Sequence, residues 1–524
     1  MTNPSLYQAF QQSAVKHADR IAIRHSGPDI SYRDLEQLSR NVAKALIEIG
    51  AERGDRIAIW GINSAEWVIA ALAIQAIGGV LVPLGTRLRA REVEGIIADA
   101  GISIIFCDHG FGDYDYIAAL HSIAAVPPSR MVLMDGQGGE PRGMKTLSAL
   151  MRAERQAEDP VLDARIAQGS GDDLSDIIFT SGTTGKAKGV PMTCAQSLAA
   201  CAAQQADVTR FCPDDVFAIS FPFAHNAGYR AGWQIALLQG VRILPISVFD
   251  AGALLKLIEQ ERVSVLPVVV PVAQGLVDHP ERARHDLSSL RLVGTGGTNI
   301  PVKLIEDLRR CLSPRTEVQS GYGLTETAGS VTTTGPEDTA EIIATTVGRP
   351  LSSLEVRILG PDYAELPRGE VGEIAVRGPQ VMNGYYNNPD ATRAAFTADG
   401  FLLTGDAGSM DQAGHIRITD RIKDMYLTGG FNCYPAEIEH IMRQMPGIVQ
   451  VAVIGVPDSR LGEVGKAFVV AASGSDLEEE AIIAWCRGEM ANYKVPRSVV
   501  ILDALPVNAT GKVAKTELRS LVTT

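Results

Sequence analysis

The chain reads as an α/β protein in two unequal parts: a large N-terminal domain with covered, mostly parallel sheets and a β-rich subdomain, then a small α+β C-terminal domain. Three observations predict this. Strand-like runs alternate with amphipathic helical runs through the first half of the sequence. Several of those runs are apolar on both faces, as in a sheet covered on both sides. From Val347 the texture changes to short strands with Gly and Pro between them, and a compact helix–strand–helix unit follows Asp424.

Taken in order, Ser31 and Asp34 open a helix whose apolar positions Leu35, Leu38, Val42, Leu46 and Ile49 recur at three- and four-residue steps until Gly50. RIAIW (56–60) then alternates as a strand. The most apolar stretch, WVIAALAIQAIGGVLVPLG from Trp67, is interrupted by Gln75, Gly78 and Gly79 before it could span a bilayer, so it reads as a buried helix running into the strand VLVPL. The alternation returns at VFAISF (216–221), VRILPI (241–246), VSVLPVVV (263–270) and LRLVGTGG (290–297). LEVRIL, GEIAVRG and GHIRITD supply the β-rich subdomain. In the last unit YPAEIEHIMRQM and EEEAIIAWCRGEM are helical and VQVAVIGVP is a strand. The expected boundaries are 1–419 for the N-terminal domain, with 346–419 as its β-rich part, and 425–524 for the C-terminal domain.

Composition narrows the function. With 61 acidic against 48 basic residues the net charge is -13, a poor surface for nucleic acid, so an anionic ligand must be met locally. Seven scattered cysteines without a C-x-x-C pair indicate neither zinc nor a disulfide framework and favour reduced thiols in a cytoplasmic protein. The N-terminus lacks the basic start and apolar core of a signal peptide, and no transmembrane segment is expected.

The segment TSGTTGKAKG (180–189) follows the apolar run Ile177–Phe179. A strand ending in a turn rich in Gly and hydroxyl groups offers clustered N–H donors to phosphate oxygens, and Lys186 adds a compact positive charge. It is not a Walker loop, because Thr180 stands where the first glycine should be and Ala187 follows the lysine. In isolation a surface turn would explain it equally well. Four further blocks share the chain: QSGYGLTETAG (319–329), FLLTGDAG (401–408), DRIKDMYLTGGFNCYPAEIE (420–439) and LPVNATGKV (505–513).

At these five blocks, in order and at ordinary spacing, the sequence resembles the AMP-forming acyl-CoA synthetases of the adenylate-forming superfamily, a resemblance that covers almost the whole chain. The resemblance implies that a carboxylic acid and MgATP form an acyl-adenylate and pyrophosphate, after which the thiol of coenzyme A displaces AMP. It implies that Thr180, Ser181, Gly182, Thr183, Thr184, Gly185 and Lys186 cradle the β- and γ-phosphates. Gly296, Gly297 and Thr298 line adenine with their backbone, and the Tyr322 ring, followed by Gly323, lies against it. Thr325 meets the α-phosphate, Glu326 holds Mg2+, and Asp406 accepts from the ribose hydroxyls with Arg421 nearby; an Asp406–Arg421 salt bridge is the alternative. Lys512 bridges the carboxylate and α-phosphate oxygens in the first half-reaction. A hinge at 420–424, pivoting on Lys423, makes the C-terminal domain mobile and exchanges Lys512 for the segment Thr428–Phe431, where Gly429 and Gly430 admit the pantetheine arm.

The acid is read from FPFAHNAGYRAGW (221–233). His225 is the aromatic gate by resemblance, or else a satisfied core histidine, and the absence of an aspartate here favours an apolar acyl group over an amino acid. Together with ANYKVPRSV, this region resembles the subgroup that activates the hydroindane propanoate left by bacterial steroid breakdown; Arg230 would then meet a ring oxygen or be structural. A medium- or long-chain fatty acid is the alternative. So are a stand-alone module that loads a carrier protein and an inactive binding homologue, although the intact Lys186, Thr325, Glu326, Asp406 and Lys512 oppose the last. Departures from the family pattern at Ala187, Phe401, Leu403 and Cys433 remove no catalytic group. A homodimer is left open.

Overall fold

The computed structural model describes the chain except residues 1–2, 26, 124–125, 135–142, 153–158, 181–186, 297–299, 313–315, 422–425, 434, 473, 476, 507–512, 514 and 523–524. Among the described residues two large sheets dominate. The first has nine strands and is parallel through its middle, where Arg242–Pro245, Val216–Ile219, Val265–Val268, Leu292–Gly296 and Glu317–Leu324 lie side by side. The second has seven, centred on Arg56–Trp60 between Val80–Leu84 and Ile102–Cys107.

Alternation along the strands separates the layers. Ile57 and Ile59 face the shared interior with Phe217 and Val265 of the other sheet, while Ala58 and Trp60 face outward under the helix Ala90–Ala100. The shared interior is filled by the helix Ala65–Ala76, buried at every position but Glu66 because it is apolar on nearly every side, and by the amphipathic helix Tyr32–Glu48. The run expected to be a buried helix followed by a strand is therefore that, and no helix among the described residues is long and apolar enough to cross a membrane. Outside the nine-stranded sheet, helices Ala251–Glu261 and Val302–Cys311 cover Ala218, Leu266, Val293 and Val318.

Both sheets end in antiparallel pairs that the sequence texture did not announce. Leu174–Thr180 pairs antiparallel with Lys188–Thr193, because a parallel return needs a crossover of roughly a dozen residues and the connection is shorter. The glycine-rich segment thus connects two neighbouring antiparallel strands. A four-stranded antiparallel sheet follows (Glu355–Leu359, Gly372–Arg377, Leu402–Met410, Ile416–Arg421). The last sheet carries the long hairpin Ile448–Asp458/Gly462–Ala471, with Tyr426–Thr428 and Ser498–Ile501 both pairing along the edge of Gly462–Ala471 opposite Ile448–Asp458. None of the seven cysteines is in a disulfide; Cys212 is exposed, Cys311 half-buried and the rest buried.

Candidate functional site

Ligands of parallel α/β sheets bind beyond the carboxyl ends of the strands, and here the ends of both sheets open into one cavity of about 1210 Å³. Ser220, Ile246, Val269 and Gly296 enter it from the nine-stranded sheet, Gly85 and Ile62 from the seven-stranded one. The C-terminal unit closes it with Gly429, Gly430, Phe431, Tyr493 and Lys494.

Of the residues singled out in the sequence, Thr180, His225, Gly296, Tyr322, Gly323, Thr325, Gly429 and Gly430 line this cavity, although up to 250 positions separate them in the chain. Glu326 and Asp406 stand directly behind its wall. The Tyr322 hydroxyl donates to Asp406 Oδ2 at 2.6 Å, and the Tyr385 hydroxyl donates to Glu326 Oε1 at 2.8 Å. Asp406 also sits in register with Arg421 across the antiparallel pair. Ser181–Lys186, Gly297, Thr298, Lys423 and Lys512 lie outside the described residues, as does the side chain of Arg421. The flanks of Lys512 are nevertheless anchored: Leu505 is buried and Val513 packs with it on one face of the C-terminal sheet.

Local backbone explains why these groups project. Strand Glu317–Leu324 ends in the single turn Thr325–Thr327, and Ala328 and Gly329 at φ 56° and 119° reverse the chain into Gly329–Thr333. A Cβ on Gly323 would lie 1.9 Å from the Gly329 carbonyl oxygen, so only glycine lets the two strands meet there. Thr325 and Glu326 are thereby displayed at the strand end.

At the acyl side, His225 presents its ring to Phe431 edge-on at 6.0 Å, and Phe431 stacks on Tyr493 at 4.6 Å. The Arg87 guanidinium lies 5.3 Å from the Phe431 ring. His225 is exposed to the cavity, and the protein packed around that cavity together with the nearby Lys494 charge pushes its pKa down to about 4. It is neutral at pH 7. Lys494 Nζ reaches Glu437 at 2.7 Å within its own unit and Glu92 at 2.6 Å on the N-terminal domain. Burial alone would lower the Lys494 pKa, but Glu437 and Glu92 hold it well above the ordinary value.

Arg230 takes the structural one of the two roles the sequence left open. Its side chain is 1% exposed, paired with the fully buried Asp176 and bonded through Nε to Ser197 Oγ at 3.1 Å. It is a structural ion pair behind the wall rather than a contact for a ring oxygen. Sequence reasoning also missed Tyr385, Glu92, Glu437 and Lys494. Their partners lie tens to hundreds of residues away, and although Glu437 and Lys494 fall in segments that carry the resemblance, nothing local gives them this role.

No group of three or more His, Cys, Asp or Glu side chains poised for a metal occurs among the described residues.

A model of the AMP-binding enzyme family matches residues 10–386, and one of the AMP-binding enzyme C-terminal domain matches 437–512. The chain is 43% identical over 93% of both chains to the 3-[(3aS,4S,7aS)-7a-methyl-1,5-dioxo-octahydro-1H-inden-4-yl]propanoyl:CoA ligase of Mycobacterium tuberculosis. It is 39% identical to the ligase of the same description from Rhodococcus jostii, over 99% of this chain and 98% of the relative. Among solved structures, the o-succinylbenzoate CoA synthetase of Bacillus subtilis, bound with its product analogue, superposes with a TM-score of 0.84 at 27% identity over 99% of both chains.

Proposed function

This chain belongs to the AMP-binding enzyme family and is an acid–CoA ligase that draws on ATP and coenzyme A; from that premise we propose that its acid is a fused-ring propanoate of the kind left by steroid breakdown. The observation that carries the reading is the convergence on one cavity of residues assigned to nucleotide, acid and pantetheine. The near-full-length likeness to two ligases named for such an acid supports the ring. At about 1210 Å³ the cavity exceeds the usual range for a single small ligand, roughly 300–1,000 Å³, which leaves room for a bulky acid beside a nucleotide or a pantetheine arm.

In the first half-reaction a carboxylate oxygen attacks the α-phosphorus of ATP in line, and the bond to pyrophosphate breaks. Thr180–Lys186 hold the β- and γ-phosphates, and Gly296–Thr298 with Tyr322 and Gly323 receive adenine. Asp406, positioned by the Tyr322 hydroxyl and aided by Arg421, receives the ribose. Thr325 donates to the α-phosphate and Lys512 bridges it to the carboxylate, so catalysis is alignment plus stabilisation of developing charge. Glu326 would hold Mg2+, which supplies charge neutralisation on the phosphates. In the second half-reaction the coenzyme A thiol attacks the acyl carbon, a C–S bond forms, and AMP leaves with the electrons of the C–O bond. The domain pose, with Gly429–Phe431 at the cavity and a whole-chain likeness to a product-analogue complex, supports assigning this arrangement to thioester formation. Seven cysteines without a disulfide suit a reducing compartment such as the cytoplasm.

An AMP-release screen over ring, aryl and fatty acids, with coenzyme A or a holo-carrier protein as acceptor, tests the reading. Highest kcat/KM for a fused-ring keto acid with coenzyme A is the expected result. A fatty acid in first place, or the carrier as preferred acceptor, would overturn the corresponding part.

A further inference from the structure

The cavity wall holds a hydrogen-bond donor that the protein itself does not use. Asn226 follows His225 and lines the cavity, and its Oδ1 accepts from Arg230 Nη1. A guanidinium has donors only, so the orientation of this amide is not free: Oδ1 must face Arg230 and Nδ2 must point away from it. Arg230 in turn cannot swing, being tied to Asp176 and Ser197 behind the wall. Nδ2 is buried and has no acceptor among the described residues. Buried amide donors left unpaired are rare and unfavourable, which calls for a partner that arrives with the ligand.

A second fixed amide lies on the floor. Gln319 shares a sheet face with Gly294, and its Nε2 donates to Glu317 Oε1 at 2.7 Å and to the Val208 carbonyl at 3.4 Å. Both partners are acceptors, so Nε2 must face them, and Oε1 is left buried without a donor. A plain hydrocarbon tail would leave both atoms unpaired.

We propose that Asn226 is a specificity-determining residue whose Nδ2 donates to a hydrogen-bond acceptor on the acyl body, a ring ketone in the first instance, while Gln319 Oε1 receives a ring hydroxyl or an ordered water. This rests on the acid–CoA ligase reading and sharpens its substrate class to acids oxygenated on the acyl body. The buried Asp176–Arg230 pair is what aims the donor; Asp176 and Arg230 act through Asn226 and are positioning residues.

The test measures kcat/KM on matched acids: the hydroindane propanoate with and without ring ketones, its hydroxyl analogue, and an oxo fatty acid against the plain one. The native enzyme should prefer the keto member by about 10- to 100-fold, the range expected when a buried donor goes unpaired. Asn226→Asp keeps the acceptor for Arg230 and the side-chain shape but replaces the donor with an acceptor. It should erase the keto preference and move selectivity toward the hydroxyl analogue, with an unchanged melting temperature. Asn226→Leu should likewise erase the preference while retaining activity on the deoxy acid. Equal use of keto and deoxy acids by the native enzyme, or a preference that survives both substitutions, would overturn the inference. If the native enzyme turns over no ring acid, the ring reading fails alone, and the ratio on the oxo and plain fatty acids still decides the role of Asn226.

Discussion

Asp176 and Arg230 illustrate how a residue can be conspicuous in a sequence for the wrong reason. Arginine in an apolar run invites a substrate role, yet its guanidinium is enclosed with its carboxylate partner, 54 positions away. Removing one member of such a pair strands the other without solvent or counter-charge. Arg230→Met or Asp176→Asn should therefore destabilise the N-terminal domain by about 3–5 kcal/mol, read as a lowered urea midpoint. His225 gives a pH signature. Its folded pKa of about 4 lies below the usual 6.5, so between those values the unfolded chain takes up a proton that the folded chain refuses. Stability contributed by the neutral ring is complete above pH 6.5 and declines as pH falls toward 4. Replacing His225 with Gln should flatten that slope in melting temperature against pH. Lys512 belongs to this scale as well: Lys512→Ala should slow adenylation by about two to three orders of magnitude, as loss of one preorganised charge stabiliser does elsewhere. Thioester formation from preformed adenylate should survive, and an equal loss in both steps would refute its assignment.

At the level of elements, strands and helices were legible wherever hydrophobic periodicity was strong. RIAIW and VLVPL are strands over the residues read from the sequence, and the helix marked by Ser31 runs from Tyr32 to Glu48. What local pattern did not disclose was pairing. Nothing in TSGTTGKAKG alone says that the strands flanking it pair antiparallel at a sheet edge, because the direction of a neighbouring strand is a tertiary property. The segment Thr428–Phe431 was read from motif, and the structure gives its physical constraint. Gly430 has φ +84°, and a Cβ there would lie 3.1 Å from Val269 Cγ1 on the opposing domain. Gly430→Val should therefore depress thioester formation strongly while leaving adenylation near its native rate, measured as separate half-reactions.

Across the whole molecule three of the five sequence blocks that carry the resemblance, 180–189, 319–329 and 420–439, contribute lining residues to the cavity, while 401–408 reaches its wall through the Asp406 bond to Tyr322 and Leu505 and Val513 pack on the C-terminal sheet. The domain interface was invisible in the sequence: Lys494 is one lysine among many until Glu92 and Glu437 are brought to it. Its bond to Glu92 joins the two domains in this pose, so Glu92→Gln should slow coenzyme A transfer by about tenfold and spare adenylation. Pre-steady-state measurement of the two steps checks this.

The most direct measurement follows ATP in the presence of a fused-ring keto acid, first without coenzyme A and then with it. The account predicts acid-dependent exchange of pyrophosphate into ATP before coenzyme A is added, then stoichiometric AMP and thioester once it is present. Production of ADP, or thioester formation without any pyrophosphate exchange, would contradict it.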